Sequence, residues 1–183
     1  TRYLSSAASD VYKRQIGSYK GSLKDINADV IGSECIKQAI VRSKIDPSDV
    51  DEVIMGQVLT AGQGQNPARQ AAIKAGIPNT KPAHIINQVC GSGLRSIISG
   101  FQQIILNDAN IIVSGGQENM SRSHHSIFFR MDKKLNKENL IDNMINDGLV
   151  DAFNRYHMGI TAENVAQKFN VTRDQQDLSL IHI

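Results

Sequence analysis

His84-Ile85-Ile86-Asn87-Gln88-Val89-Cys90-Gly91-Ser92-Gly93 is the stretch that decides how this chain is read. An apolar run, His84 to Val89, ends in a cysteine, and two glycines flank a serine directly after it. Leu94, Ile97, Ile98, Phe101, Ile104 and Ile105 follow at helical spacing. The pattern predicts a strand, a thiol at its carboxyl end, and a helix that starts at once. A helix start carries partial positive charge and free N–H groups, which favour a thiolate, and the thiolate is the nucleophile. Gly91 and Gly93 carry no Cβ, so a ligand has close access to the backbone. The local chemistry points to covalent catalysis at Cys90.

The flanking segments place this turn in a layered fold. Ala28, Ile31, Cys35, Ile36, Ala39 and Ile40 predict an amphipathic helix over 29–43, with Cys35 in its apolar stripe as a small core residue. Val53 to Leu59 reads as a short buried strand. Asn66 and Pro67 suit the cap and first position of a helix whose Ala68, Ala71, Ala72 and Ala75 offer a small-residue face. Gly76 suits its exit. Ile111 to Val113 is a further short strand. Helix, strand, helix, strand, helix, strand implies an α/β fold with a mainly parallel sheet and right-handed crossovers. Sites in such folds lie beyond the carboxyl ends of strands, where Cys90 falls. Residues 121–155 break the pattern and read as a long excursion with short helices, and Thr161 to Phe169 reads as a helix capped by Thr161.

Composition excludes several classes. The chain has 183 residues, 40% hydrophobic and 21% charged, which is ordinary for a globular domain. A net charge of +2 without a basic stripe argues against a nucleic-acid partner. No apolar run reaches membrane-spanning length, and Thr1 to Gln15 has no hydrophobic core of a secretory signal. Its two cysteines form no disulfide framework, so a reducing, cytoplasmic setting is expected. His84, His124, His125 and His157 have no acidic partner at ligand spacing, so no metal is expected. Glu118 is expected to cap backbone donors rather than act in catalysis.

Six blocks carry a resemblance, in this order: Ile16-Gly-Ser-Tyr-Lys-Gly-Ser-Leu23, Asp51-Glu-Val-Ile-Met-Gly-Gln-Val58, Gly62-Gln-Gly-Gln-Asn-Pro-Ala-Arg-Gln70, Asn87-Gln-Val-Cys-Gly-Ser-Gly93, Gly115-Gly-Gln-Glu-Asn-Met-Ser121 and Tyr156-His-Met-Gly-Ile-Thr-Ala-Glu-Asn164. Together they resemble a thiolase, most closely its acetyl-CoA C-acetyltransferase branch. The resemblance implies a thiolase-like N-terminal α/β/α half with part of the loop domain, truncated. It implies Cys90 as the acyl-accepting nucleophile, with its N–H in an oxyanion hole, and Gly91, His157 and Met158 as substrate-binding residues near the pantetheine arm. Coenzyme A enters as part of the acyl-CoA substrate and no separate cofactor is needed. The resemblance further implies a homo-oligomeric dimer of dimers, with 16–120 as the core, 121–160 as the loop domain and 161–177 as the helical start of the next segment.

The chain departs from the family at its ends. The resemblance places an activating histidine, a second cysteine and a water-positioning asparagine in a C-terminal half beyond Ile183, so the chain alone is expected to be inactive. Thr1 to Gln15 and Leu178 to Ile183 read as non-native, with the tail breaking the preceding helix. The family's sheet has its first strand at the centre, so that strand's place is expected to be vacant or taken by Val11 and Tyr12. Alternatives to the acetyl-CoA reading are a broader 3-ketoacyl-CoA thiolase of fatty-acid β-oxidation and a non-catalytic thiolase-like protein that binds acyl-CoA or lipid.

Overall fold

A short parallel sheet frames the site. The computed structural model describes residues 17–130 and 140–181. Strands β1 (Glu52–Gly56), β2 (Ala83–Ile86) and β3 (Ile112–Gly116) lie in the order β2-β1-β3. Val53 is in register with Ala83 and Val113, and Gly56 with Ile86 and Gly116, all parallel. Helices α1 (Ala28–Ser43), α2 (Pro67–Lys74) and α3 (Ser92–Ile105) alternate with the strands, as the spacing predicts.

β1 sends alternate side chains to opposite faces. Val53 and Met55 join Ile36 and Ile40 of α1 and Ala68, Ala71 and Ala72 of α2 in one core cluster. Gly56 on the other face meets the start of α3. The result is an α/β/α sandwich with α1 and α2 on one side and α3 on the other. Each Ile or Val buried there contributes about 1.5–3 kcal/mol. The alanines let α2 lie close to α1, and the buried Asp29 carboxylate pairs with Lys74 across that contact. Asn66, at φ +42, accepts from Arg69 N at 3.2 Å and donates to Ala83 O at 2.8 Å, tying the start of α2 to β2. Gly76 leaves α2 at φ +91, a conformation that favours glycine.

Four expectations are corrected. Cys35 is exposed, not core. Helix α1 turns Ala28, Asp29, Gly32, Ser33, Ile36 and Ile40 inward, and residue 35 lies about 100° round the helix from Ile36. The sheet has no vacant central place, because β1 pairs directly with both neighbours; residues 1–16, with Val11 and Tyr12, lie outside the described residues. The excursion contains strands as well as short helices. There, β4 (His125–Ser126) pairs antiparallel with β5 (Ile141–Asp142), followed by a π-helix over Met144–Leu149. A buried Asn143 accepts from Ser126 Oγ at 2.6 Å and locks that pair. Finally, helix α5 (Arg173–Ile181) runs through Leu178 rather than breaking there, since no glycine or proline interrupts it.

Helix α4 (Met158–Phe169) precedes α5. No described helix is long and apolar enough to cross a membrane. Among the described residues, no three His, Cys, Asp or Glu side chains gather as a metal site.

Candidate active site

Strand β2 stops at Ile86, not at Val89 as the apolar run predicts. Its last ladder bond comes from Gln57 N to Ile86 O at 3.1 Å. The Asn87 side chain then accepts from Val89 N at 3.0 Å, giving the backbone a local partner in place of the ladder. Gly91 N donates to Gln88 O, and Ser92 N to Val89 O, both at 3.1 Å. The Ser92 hydroxyl accepts from Gln88 N at 2.8 Å and donates to Val89 O at 2.5 Å. Between these ties Val89 adopts φ +48. A β-branched residue in the left-handed region costs about 1–2 kcal/mol. The chain thus reverses sharply between strand and helix, and Cys90 stands exposed at the bend.

The start of α3 sits directly on the sheet. A Cβ on Gly56 would come within 2.3 Å of Ser92 C and 2.5 Å of Gly93 N. A Cβ on Gly116 would lie 3.4 Å from Gly93 Cα. The fully buried Ser96 places its hydroxyl 2.7 Å from both Gly93 O and Gly115 O. The buried face of α3 is therefore the small one, Ser92, Ser96 and Gly100. Its apolar stripe faces outward, with Leu94 66% and Phe101 52% exposed. The Gly93 backbone lies beside Gly116 of β3. Gly91 is the N-cap of α3 at φ −82, with no side-chain hydrogen bond to the cap. The first N–H groups of α3 have no side-chain partner there, which suits a negative group beside Cys90.

The carboxyl ends of β1 and β3 meet next to this helix start. Gln117 Nε2 donates to Gln57 Oε1 at 2.8 Å, and Gln57 Nε2 to Leu59 O at 3.1 Å, all buried. Glu118 accepts from Val58 N at 2.8 Å and Leu59 N at 3.2 Å. Burial pushes its carboxyl above the usual range, opposed by these backbone donors. Glu118 is a cap, as the sequence predicts. Gly56, Ser92 and Ser96 were not singled out from sequence as site residues. Their signal is a glycine closing an apolar strand, and small residues at i, i+4 and i+8 in the helix opposite.

His157 and Met158 lie at the start of α4. His157 is its N-cap, with Nδ1 accepting from Gly159 N at 3.0 Å, and Thr161 is not the cap. Thr161 sits a turn inside the helix, its Oγ1 4.0 Å from Met158 Sδ. Among the described residues no hydrogen bond joins His157 or Met158 to the Cys90 turn. The structure brings Cys90 and Gly91 together and leaves the other pair on a separate helix.

Residues 9–180 match the family described as Thiolase, N-terminal domain. The chain belongs to the thiolase family. An acetyl-CoA acetyltransferase of Paracoccus denitrificans is 52% identical over 162 residues, covering 88% of this thiolase chain and 41% of the relative. One from Pseudomonas aeruginosa is 53% identical over 163 residues, with 88% and 42% covered. A probable acetyl-CoA acyltransferase of Staphylococcus aureus is 46% identical over 178 residues, with 97% and 44% covered. The chain thus spans well under half the length of these relatives.

Proposed function

We propose that Cys90 carries the acyl group in an acetyl-CoA C-acetyltransferase, which joins two acetyl-CoA molecules into acetoacetyl-CoA or cleaves it in reverse. The observation that supports this most is an exposed cysteine at a sharp strand-to-helix bend, beside a helix start with no side-chain cap, in a chain of the thiolase family. In the first step the Cys90 sulfur attacks the thioester carbonyl. A C–S bond forms, and charge gathers on the oxygen near the first N–H groups of α3. The bond to coenzyme A then breaks, and its thiolate takes the proton Cys90 gave up. In the second step the methyl carbon of another acetyl-CoA loses a proton to a base and attacks the acyl-enzyme. A C–C bond forms and the bond to Cys90 sulfur breaks.

By the family resemblance, the base, the second cysteine and the water-positioning asparagine belong to the part of the longer relatives that this chain does not span. In the same reading His157 and Met158 line the pantetheine arm, coenzyme A comes only with the substrate, and the enzyme is a dimer of dimers. The name of the Staphylococcus aureus relative favours a second, broader reading, in which longer acyl groups are also carried.

Incubation with acetyl-CoA and mapping of the acetyl group by peptide mass spectrometry tests both readings. Acetylation of Cys90 but not Cys35, abolished by Cys90→Ala, is the expected result. Equal acetylation of both cysteines, or none with any acyl-CoA, overturns the proposal. Longer acyl-CoAs reacting as fast as acetyl-CoA select the broader reading.

A further inference from the structure

We infer that Ser92 is a positioning residue whose hydroxyl holds Val89 in its left-handed conformation and thereby aims the Cys90 thiol outward. This inference rests on Cys90 being the nucleophile.

Ser92 is buried, and both hydrogen bonds of its hydroxyl go to the turn that precedes it. Its oxygen is spent on the backbone N–H of Gln88 and the carbonyl of Val89, accepting from the first and donating to the second. Those groups bracket the φ of Val89, the one β-branched side chain among the described residues with positive φ. Valine does not hold this conformation by itself, since its Cβ crowds the following carbonyl. The remaining ties, from Asn87 Oδ1 and from the N–H groups of Gly91 and Ser92, are those of an ordinary turn, compatible with a glycine or a valine at that place. Only the hydroxyl links both sides of Val89 at once. The Ser92 Cα cannot drift to compensate, because the peptide that follows it lies against Gly56. The clamp therefore transmits the fixed position of α3 on the sheet to the direction of the Cys90 side chain. Sequence alone gives no sign of this, because a serine after Cys-Gly reads as an ordinary helix-start residue.

The test is the iodoacetamide labelling rate of Cys90 in the 183-residue chain, with exposed Cys35 on α1 as internal reference. Ser92→Ala is expected to slow Cys90 about tenfold, the scale on which a side-chain hydrogen bond that holds a backbone is felt, while Cys35 keeps its rate. Ser92→Thr keeps the hydroxyl and is expected to keep the wild-type rate. Adding Val89→Gly to Ser92→Ala is expected to restore the Cys90 rate, because glycine adopts positive φ without a clamp. A purely structural serine would not be rescued by a change at position 89. An unchanged Cys90 rate in Ser92→Ala, or a double variant as slow as the single one, overturns the inference. If Ser92→Ala does not fold, its circular dichroism shows the loss, and the double variant decides: recovery of the fold and of the Cys90 rate supports the clamp, and no recovery overturns it. Equal wild-type rates for Cys90 and Cys35 would instead count against the nucleophile reading, and the clamp would still be judged on the absolute Cys90 rate.

Discussion

α3 and α4 both begin beside a residue singled out from the sequence, Cys90 in one case and His157 in the other, yet their starts are built in opposite ways. The start of α4 satisfies its own donor: His157 Nδ1 accepts from Gly159 N, and the segment around it is exposed. The start of α3 has no side-chain cap and is held from beneath, by Gly56 and Gly116 against Gly93 and by Ser96 bonding two carbonyls. A helix that caps itself is stable where it stands but offers less to a ligand. A helix anchored through its buried face needs no side-chain cap, and the positive end of its dipole is left facing the Cys90 turn. The difference leaves one terminus closed by its own cap and the other, beside the exposed Cys90, without a side-chain cap.

The most severe way to break this contrast is to push α3 off the sheet. Gly56→Ala places a Cβ against the backbone of Ser92 and Gly93, which is not a flexible side chain that yields. We expect a loss of about 3 kcal/mol or more, a large share of a typical total of roughly 5–15 kcal/mol. Urea unfolding followed by circular dichroism measures it. A variant as stable as wild type would show that α3 does not sit where its anchor requires.

Next in size is Ser96→Ala, which removes the hydroxyl shared by Gly93 O and Gly115 O in a fully buried place. The expected cost is about 1–2 kcal/mol, from two half-buried carbonyls losing the one O–H they share. Hydrogen exchange should rise at the α3 start and leave α4 unchanged. Equal changes at both helices would erase the distinction drawn between them.

A smaller, pH-dependent effect sharpens the picture at the strand ends. Burial raises the Glu118 carboxyl above its ordinary 4.5, so the fold prefers it protonated. Its contribution is fully present below that value and is lost as pH rises through the higher folded value. Glu118→Gln stays neutral, so its stability relative to wild type should improve as pH rises from about 4 to about 7. Asp51 has the opposite sign. Backbone donors from Asn110 and Ile111 lower it below 3.8, and its contribution is lost only as pH falls through that lowered value. Urea midpoints of Glu118→Gln and Asp51→Asn across pH check the two directions. Parallel slopes for Glu118→Gln and wild type would sink the first.

The order of elements, the Asn66 cap, the Gly76 exit and the place of Cys90 at the sheet's carboxyl edge were all legible in the sequence, because each rests on local chemistry. Turn residues, caps and helical periodicity act within a few positions of themselves. What was not legible depends on which face of an element meets a distant neighbour. Cys35 shares the apolar spacing of α1, but the inner face was taken by Asp29, Gly32 and Ser33, which fit against α2 and Gln117. Leu94, Ile97 and Phe101 mark α3 as a helix, and periodicity alone suggests that they face the sheet. The close approach of Gly56 leaves room only for Ser92, Ser96 and Gly100. The strand pair at 125–126 and 141–142 is too short for any period to reveal. His157 as a cap was missed because histidine is an uncommon one, and Thr161 offered a stronger pattern three residues into the helix.

The mildest change tests the α4 side of the contrast. His157→Ala removes the acceptor for Gly159 N, and an N-cap of this kind is worth about 0.5–1 kcal/mol. The loss is local, because among the described residues the cap reaches no other helix. Hydrogen exchange should therefore rise at Gly159 and Ile160 and fade toward Phe169. His157→Asp, a stronger cap whose charge also suits the helix start, should lower exchange at the same amides below wild type. If both variants leave those amides unchanged, His157 is not what holds α4 in place. Its position would then be open to a role at the pantetheine arm that costs the helix nothing. If they respond in opposite directions, the histidine's ring nitrogen is already occupied at rest. A substrate that uses it must displace Gly159 N or bind through Nε2.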